Sequence, residues 1–384
     1  MKRTPITKLD ASDLALLIEC FQPLPDPRLE RRQLHKLIDI VVIGLATLIS
    51  GGAGFADMEA FGAAKQAQLQ EFLELKNGIP SHDTFGRVFA LLDPRQFEQC
   101  LGRWVKQKIQ LAPGEVIPID GKTLRGSHDQ GRAQAQVESV SAWAHQQGVL
   151  LAEVKVAADS NEITAVPAVL ELLNIEGCTV TVDALNCQKT VVKQIREQKA
   201  AYVCALKGNH PHLEQAVAEF LQAVREQRTS GMSYATHATV EKEHGRIETR
   251  QYWQAVAPAW LPEFSEWCDL QSVGCVISTR TRGQLSTTET RYYLSSLAVE
   301  APRFATAVRG HWSIENSCHW VLDVVFGEDA ARVRVGDAAE NLGILRRFAL
   351  NLLKRMETPK KQSVRSKRLR AAWEDDFWLK VLRN

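Results

Sequence analysis

No stretch of this sequence is both apolar enough and long enough to span a bilayer. Its most apolar segment, IDIVVIGLATLIS at 38–50, falls short of the roughly 18 residues a membrane helix needs and carries an acid, Asp39. A buried helix is expected there. The beginning, MKRTPITKLD, lacks the apolar core of a secretory signal, so a cytoplasmic protein with no membrane partner is expected. Paired cysteines are missing too. The eight cysteines at 20, 100, 178, 187, 204, 268, 275 and 318 form no CxxC and stand singly in apolar stretches. That pattern excludes a zinc ribbon and a disulfide framework and predicts reduced, mostly buried thiols. Nor is there an excess of one charge: 47 Lys and Arg against 45 Asp and Glu leave a formal net of +2. Only local segregation of charge can therefore point to a partner. Internal repeats and low-complexity segments are absent as well, which excludes repeat architectures.

What the sequence does contain changes character along its length. Residues 9–110 carry helical spacing in LDASDLALLIECF, LHKLIDIVVIGLATLIS, FADMEAFGAAKQAQLQEFLEL and DTFGRVFALLDPRQFEQCLGRWVKQKI. A helix ending near Leu75, the turn KNGIPSH and a second helix from Asp83 have the outline of a helix-turn-helix, a motif also common in plain bundles. From 115 to 207 the pattern turns to strands: VIPIDGKTLRG, then VESVSAWAHQQGVLLAEVKVA as a hairpin, a helix over ITAVPAVLELL, a strand over CTVTVDAL, a helix over KTVVKQIREQ and a strand over AYVCALKG. This is an α/β order with a mixed sheet. Residues 234–297 are β-rich, with turns expected at His244-Gly245 and Arg282-Gly283, and read as an insertion. Helix returns over 301–355. Between Lys354 and Arg370, eight basic residues stand against one acid, read either as a solvated face or as a phosphate-binding surface.

Three acids stand out by context. Asp120 closes the apolar run VIPI, Asp183 closes TVTV, and Glu315 lies in RGHWSIENSCHW. A carboxylate at the end of an apolar strand is costly without a cation, a proton or hydrogen-bond donors to offset it. Two strand-end aspartates and a helical glutamate are hard oxygen donors suited to Mg²⁺, with Mn²⁺ as substitute. Taken singly, each acid reads equally as a turn or capping residue. GKT at 121–123 is no phosphate loop, because Val116 stands where that loop requires glycine. A competing zinc reading comes from His311, Glu315 and His319, which at i, i+4 spacing share one helix face.

Several motifs together resemble one family. IDGKTLRGS at 119–127, SNEITAVP at 160–167, VDALNCQK at 182–189, ALKGN at 205–209, HGRIETR at 244–250 and HWSIENSCHWVLDVVFGEDAARVR at 311–334 resemble the DDE transposases of bacterial insertion sequences, in the ISAs-type or H-repeat-associated group. DPR at 26–28 and NGIPSHDTFGRVF at 77–89 match that group too, so the resemblance spans nearly the whole chain. It implies a ribonuclease H-like catalytic core, a mixed five-stranded sheet with helices, interrupted by a β-rich insertion and preceded by an all-helical N-terminal domain. The boundaries implied are 1–112 for the helical domain, 113–228 for the first part of the core, 229–300 for the insertion, 301–355 for its helical completion and 356–384 for a basic tail.

The resemblance carries Asp120, Asp183 and Glu315 onto the family's three catalytic, metal-holding acids. The implied reaction is two-metal hydrolysis of a phosphodiester at the element's terminal inverted repeats, followed by transfer of the 3′-hydroxyl into target DNA, by a homodimer that pairs two ends. DNA contacts are expected from Lys122, Arg125, Lys189, Lys207, Arg246, Arg250, Arg332 and Arg334, with His311 and Trp312 beside the third acid. Surface charge or internal pairing is the competing reading for each cation. Related enzymes carry Tyr, Arg and Lys around the third glutamate, whereas here His311 stands four before Glu315 and Leu322 seven after it, so the phosphate-gripping and hairpin-forming roles of those residues are not assigned here and hairpin formation stays open. A silent DNA-binding copy and a nuclease without strand transfer are the rival functions. A soluble protein, nucleoid-associated when on DNA, is expected.

Overall fold

The computed structural model describes residues 14–124, 137–156, 161–228, 231–243 and 245–384. Six helices come first: α1 (Ala15–Phe21), α2 (Leu37–Ile49), α3 (Phe55–Ala64), α4 (Gln66–Leu69), α5 (His82–Leu91) and α6 (Pro94–Lys108). α2 is buried from Asp39 through Ile49 and so has no polar face. It needs none, because α3, the C-terminal helices and their neighbours enclose it. The helix expected to run on to Leu75 stops earlier. α3 ends at Ala64, α4 adds one turn to Leu69, and Leu75 takes a left-handed φ of 33°. α5 and α6 begin where their caps stand: Ser81 Oγ accepts from Thr84 N, and Asp93 Oδ1 accepts from Arg95 N at 2.9 Å.

Three strands follow, β1 (Val116–Leu124), β2 (Val137–Ala144) and β3 (Val149–Lys155). Then come α7 (Glu162–Glu171), β4 (Thr179–Val182), α8 (Lys189–Glu197), β5 (Ala201–Leu206) and α9 (Pro211–Arg225). β1 pairs antiparallel with β2 and parallel with β4, and β4 pairs parallel with β5. The expected insertion supplies β6 (Tyr234–Glu243), β7 (Arg246–Val256), β8 (Ser272–Arg282) and β9 (Leu285–Ser295). His244, in its first turn, lies outside the described residues.

The five-stranded sheet expected from the sequence is part of a larger one. β9 pairs antiparallel with β5, from Val203↔Ser295 to Leu206↔Tyr292, so one sheet runs β3-β2-β1-β4-β5-β9-β8-β7-β6. The reason is the free edge that β5 would otherwise present. α10 (Ala301–His311) crosses β1, β4 and β5, and Gly310 permits the approach: a Cβ there would meet Val116 Cγ1 at 2.9 Å. Alternation along β1 puts Val116 and Asp120 on this face and Gly121 on the opposite face, where α7 packs.

α11 (Ala338–Arg355), α12 (Val364–Trp373) and α13 (Asp375–Arg383) complete the chain. α11 packs on α2, α5 and α6 as well as on β3, so the N-terminal helices and the sheet share one continuous core. The expected basic tail is thus two packed helices. Trp378 is fully buried with its ring 5.6 Å from Phe61. Lys367 Nζ donates to Leu353 O and Met356 O at 2.7 and 2.6 Å, and Arg368 donates to Leu48 O, Gly52 O and Val325 O while lying over the Phe326 ring. Charge alone hid this, because the acceptors are backbone carbonyls remote in sequence. Arg368→Ala is expected to cost about 3 kcal/mol by orphaning those carbonyls; urea denaturation checks it, and a change below about 0.5 kcal/mol would return Arg368 to the surface class.

Candidate active site

β1 and β4 run parallel with Ile119 opposite Val182, which sets Asp120, midway along β1 and not at its end as expected, level with Asp183, the residue that follows β4. After α10 the chain enters two π-helical turns, Glu315–His319 and Val321–Val325, in which Trp320 N donates to Glu315 O and Phe326 N to Val321 O. Such widened turns concentrate at functional sites because they re-aim side chains without ending the helix. Here they point Glu315 and His319 at Asp120. His319 Nδ1 lies 3.4 Å from Glu315 Oε2 and 3.8 Å from Asp120 Oδ2, and one donor atom from each of the three falls within 4.8 Å of the others.

Asp183 stands next to this group with one oxygen already engaged: its Oδ1 accepts from Asn186 N at 2.9 Å, closing the turn before α8. It is thus a turn residue and no helix cap, since the N-cap of α8 is Gln188, and it lies beside the site as well. The charge of Asp183 still reaches Asp120. Burial chiefly, with Asp183, Glu315 and Glu162 adding and His319 opposing, pushes the Asp120 carboxyl up to about 6. Glu315 is held below its ordinary value, mainly by its hydrogen bond to His319. His319 is buried, and its Nε2 has no partner. Since a metal on Nδ1 would force a proton onto that partnerless Nε2, the ring is better suited to donate from Nδ1 and orient the carboxylates. The oxygens of Asp120 and Glu315, with the second oxygen of Asp183, form a hard donor set that fits Mg²⁺ or Mn²⁺.

The zinc-type face does not form. Helix α10 ends at His311, whose Nδ1 pairs with Thr181 Oγ1 at 3.0 Å and whose ring is pushed down to about 4 by burial. His311 is thus neutral and turned to the sheet.

Several expected DNA contacts are engaged inside the protein. Lys122, on the same face of β1 as Asp120, is buried with Nζ 2.6 Å from Asp323 and 2.5 Å from Glu328. Burial alone would lower its pKa; those two carboxylates raise it instead. Arg250 is buried between Glu248 and Glu241, Arg246 meets Glu248 at 3.3 Å, and Lys189 meets Glu263 and Glu266 at 2.5 and 2.7 Å. The acids facing Lys189 lie more than seventy residues on, whereas Glu248 stands two residues from both Arg246 and Arg250, where strand alternation puts all three on one face. Lys207, Arg332 and Arg334 are exposed, and Trp312 is exposed under the Arg291 guanidinium, 4.8 Å from its ring. Arg125 lies outside the described residues. Two site neighbours escaped sequence reasoning. Both sit inside quoted motifs, but Glu162 looks like an ordinary first-turn helix acid and Asn186 like an ordinary turn residue.

Comparison with known proteins identifies the family. The family model described as "Transposase DDE domain" matches residues 112–352, and "DDE_Tnp_1-associated" matches 18–105. The chain is 34% identical over 375 residues to "H repeat-associated putative transposase YhhI" of Escherichia coli K12, covering 96% of this chain and 98% of that one. It is 38% identical over 345 residues to "Putative transposase YncI" of Escherichia coli O157:H7, covering 88% and 87%. A piggyBac transposase synaptic complex with hairpin DNA aligns over 96% of this chain and 77% of its own at 10% identity, with a TM-score of 0.41, too low to carry an argument. With one family model spanning most of its length and relatives a third identical along nearly all of it, this chain belongs to the DDE transposases, in their H-repeat-associated group.

Proposed function

We propose that this chain is a metal-dependent transposase that cleaves DNA at the terminal inverted repeats of its element and joins the 3′-hydroxyl to target DNA. The observation that carries the reading is the convergence of Asp120 and Glu315, steadied by His319, beside Asp183 on the neighbouring parallel strand. The order β3-β2-β1-β4-β5, antiparallel through the first three and parallel from β1 to β5, supports a ribonuclease H-like core. Asp120, Asp183 and Glu315 would hold the cations, Mg²⁺ or Mn²⁺. When bound, a metal pair supplies an activated water and neutralises charge on the leaving 3′ oxygen.

The protein's own part is to position and to exclude. His319 donates to Glu315 and sets its carboxylate toward Asp120. Lys122 ties β1 to Asp323 and Glu328, and so holds the π-helical turns over the strand. Lys207, Arg332 and Trp312 are exposed groups suited to grip phosphates and to stack on a base. Pairing two ends calls for a homodimer on DNA.

The test is incubation of the protein with labelled element ends and a target plasmid, with Mg²⁺, Mn²⁺ or EDTA. Metal-dependent nicks with joined products are expected, and Glu315→Gln should bind the ends as the wild type does while cutting none. Binding without cutting in either metal would make this a silent DNA-binding copy. Cutting without joining would make it a nuclease.

A further inference from the structure

A fourth carboxylate, Glu162, lies against the β1 backbone beside Asp120. We propose that Glu162 is a further ligand-bearing acid of the metal site, admitted there because residue 121 is glycine. The proposal rests on reading the site as one that holds divalent ions, and it adds a residue from the opposite face of the sheet.

The first observation is steric. A Cβ on Gly121 would lie 2.1 Å from Glu162 Oε1, 2.2 Å from its Cδ and 2.6 Å from Oε2. The Glu162 carboxylate thus fills the space that any side chain at 121 would take, flush against the backbone that carries Asp120. Position 121 faces α7, so without that gap the strand would separate Glu162 from the other acids. The second observation is chemical. Among the described residues no lysine or arginine pairs with this half-buried carboxylate; what faces it is Asn186 and, further off, His319. Asn186 is fully buried, and neither atom of its side-chain amide closes a hydrogen bond of normal geometry, although it lies near enough to favour the Glu162 anion. His319 Nε2 is likewise buried and partnerless. Unsatisfied buried polar atoms near a carboxylate mark a place built for something more than this chain.

Charge points to what that is. Asp120, Asp183, Glu162 and Glu315 bring four negative charges into one neighbourhood, while the nearby lysine, Lys122, is spent on Asp323 and Glu328. Two divalent cations balance four carboxylates; three would leave an excess of positive charge. The bland alternative is that Glu162, first residue of α7, merely complements that helix end.

The two differ in direction. The full-length protein is titrated calorimetrically with Mn²⁺ and with Ca²⁺, and its melting temperature is taken in EDTA, for wild type, Glu162→Gln, Gly121→Ala and, as reference, Asp120→Asn. Glu162→Gln should weaken ion binding at least about tenfold or remove one ion, and should melt higher than wild type in EDTA because a repelling charge is gone. Gly121→Ala keeps the carboxylate but displaces it, and should weaken ion binding alike. A helix-end role would instead lower the melting temperature of Glu162→Gln and leave ion binding untouched. Wild-type titrations for both Glu162→Gln and Gly121→Ala, with Asp120→Asn weakened, would overturn the fourth ligand and leave the three-acid site standing. A wild type that binds neither ion at millimolar concentration would overturn both.

Discussion

Asp120→Asn is expected to cut end cleavage by roughly three orders of magnitude or more, the several kcal/mol a correctly held cation contributes, and at the same time to make the metal-free protein melt higher. The second half follows from its surroundings. Burial, with Asp183, Glu315 and Glu162 adding, lifts the Asp120 carboxyl from an ordinary 3.8 to about 6. A folded-state pKa above the unfolded one gives stability that is complete at low pH and lost as pH rises through about 6. At neutral pH the ionised carboxylate therefore costs the metal-free fold up to about 3 kcal/mol, and asparagine removes that cost. For a chain of this length, such a gain is a rise of about 3–4 °C in melting temperature. In EDTA the wild type should lose stability relative to Asp120→Asn between about pH 4 and pH 6. With Mg²⁺ the order should reverse. A variant that melts lower in EDTA would show Asp120 to be satisfied by the protein alone, and one that still cleaves would remove it from the site.

Lys122→Met should be the most destabilising single change near the site. Methionine fills similar volume, so packing is largely kept. What is lost is the cation between Asp323 and the buried Glu328, and breaking a buried pair from one side costs about 3–5 kcal/mol. Arg346 and Arg347 also help to keep Glu328 ionised, which places the expected loss at the lower end, about 3 kcal/mol. The pH dependence changes sign with it. In the wild type the Glu328 carboxyl is held below its ordinary value: burial would raise it, but Lys122 and the arginines prevail. It thus adds stability above the unfolded pKa that is lost as pH falls. Without Lys122 burial gains ground, and the deficit of the variant should shrink toward pH 5. Adding Glu328→Gln should recover much of it. Urea denaturation at the two pH values measures both effects, and an equal deficit at each would exclude Glu328 as the cause.

How much of this was legible beforehand depended on how local the determining contacts are. The helix over ITAVPAVLELL and the strands TVTV and AYVCAL were readable because spacing and flanking turns decide them within a few residues. The pairing of β5 with β9, some ninety residues apart, was not, and it turned a separate insertion into the second half of one sheet. Asp120 could be singled out by its setting after an apolar run, but nothing in its own segment names Glu315 or His319 as neighbours. The motif resemblance joined Asp120 to Glu315, and His319 entered only through helix spacing. For Lys122 internal pairing was an open reading, but its partners could not be named: its acids lie two hundred residues on, and a lysine beside a strand-end aspartate looks equally like a phosphate contact. Glu162 was passed over because a first-turn glutamate is the commonest thing a helix carries.

The way the last helices close upon the first sets a timetable. Asn341 Nδ2 donates to Phe89 O and Leu92 O at 2.8 Å across about 250 residues of chain, and Arg368 reaches back some 320 residues to Leu48 and Gly52. On the ribosome, at roughly 5–20 residues per second, α2 and α5 must wait some tens of seconds for α11 and α12 to be made. Until then the faces that α11 and α12 cover stay open, and chaperones are their natural shelter. A gene copy that has lost its 3′ end therefore loses more than the product's C-terminus: it yields a protein whose first hundred residues cannot finish folding either.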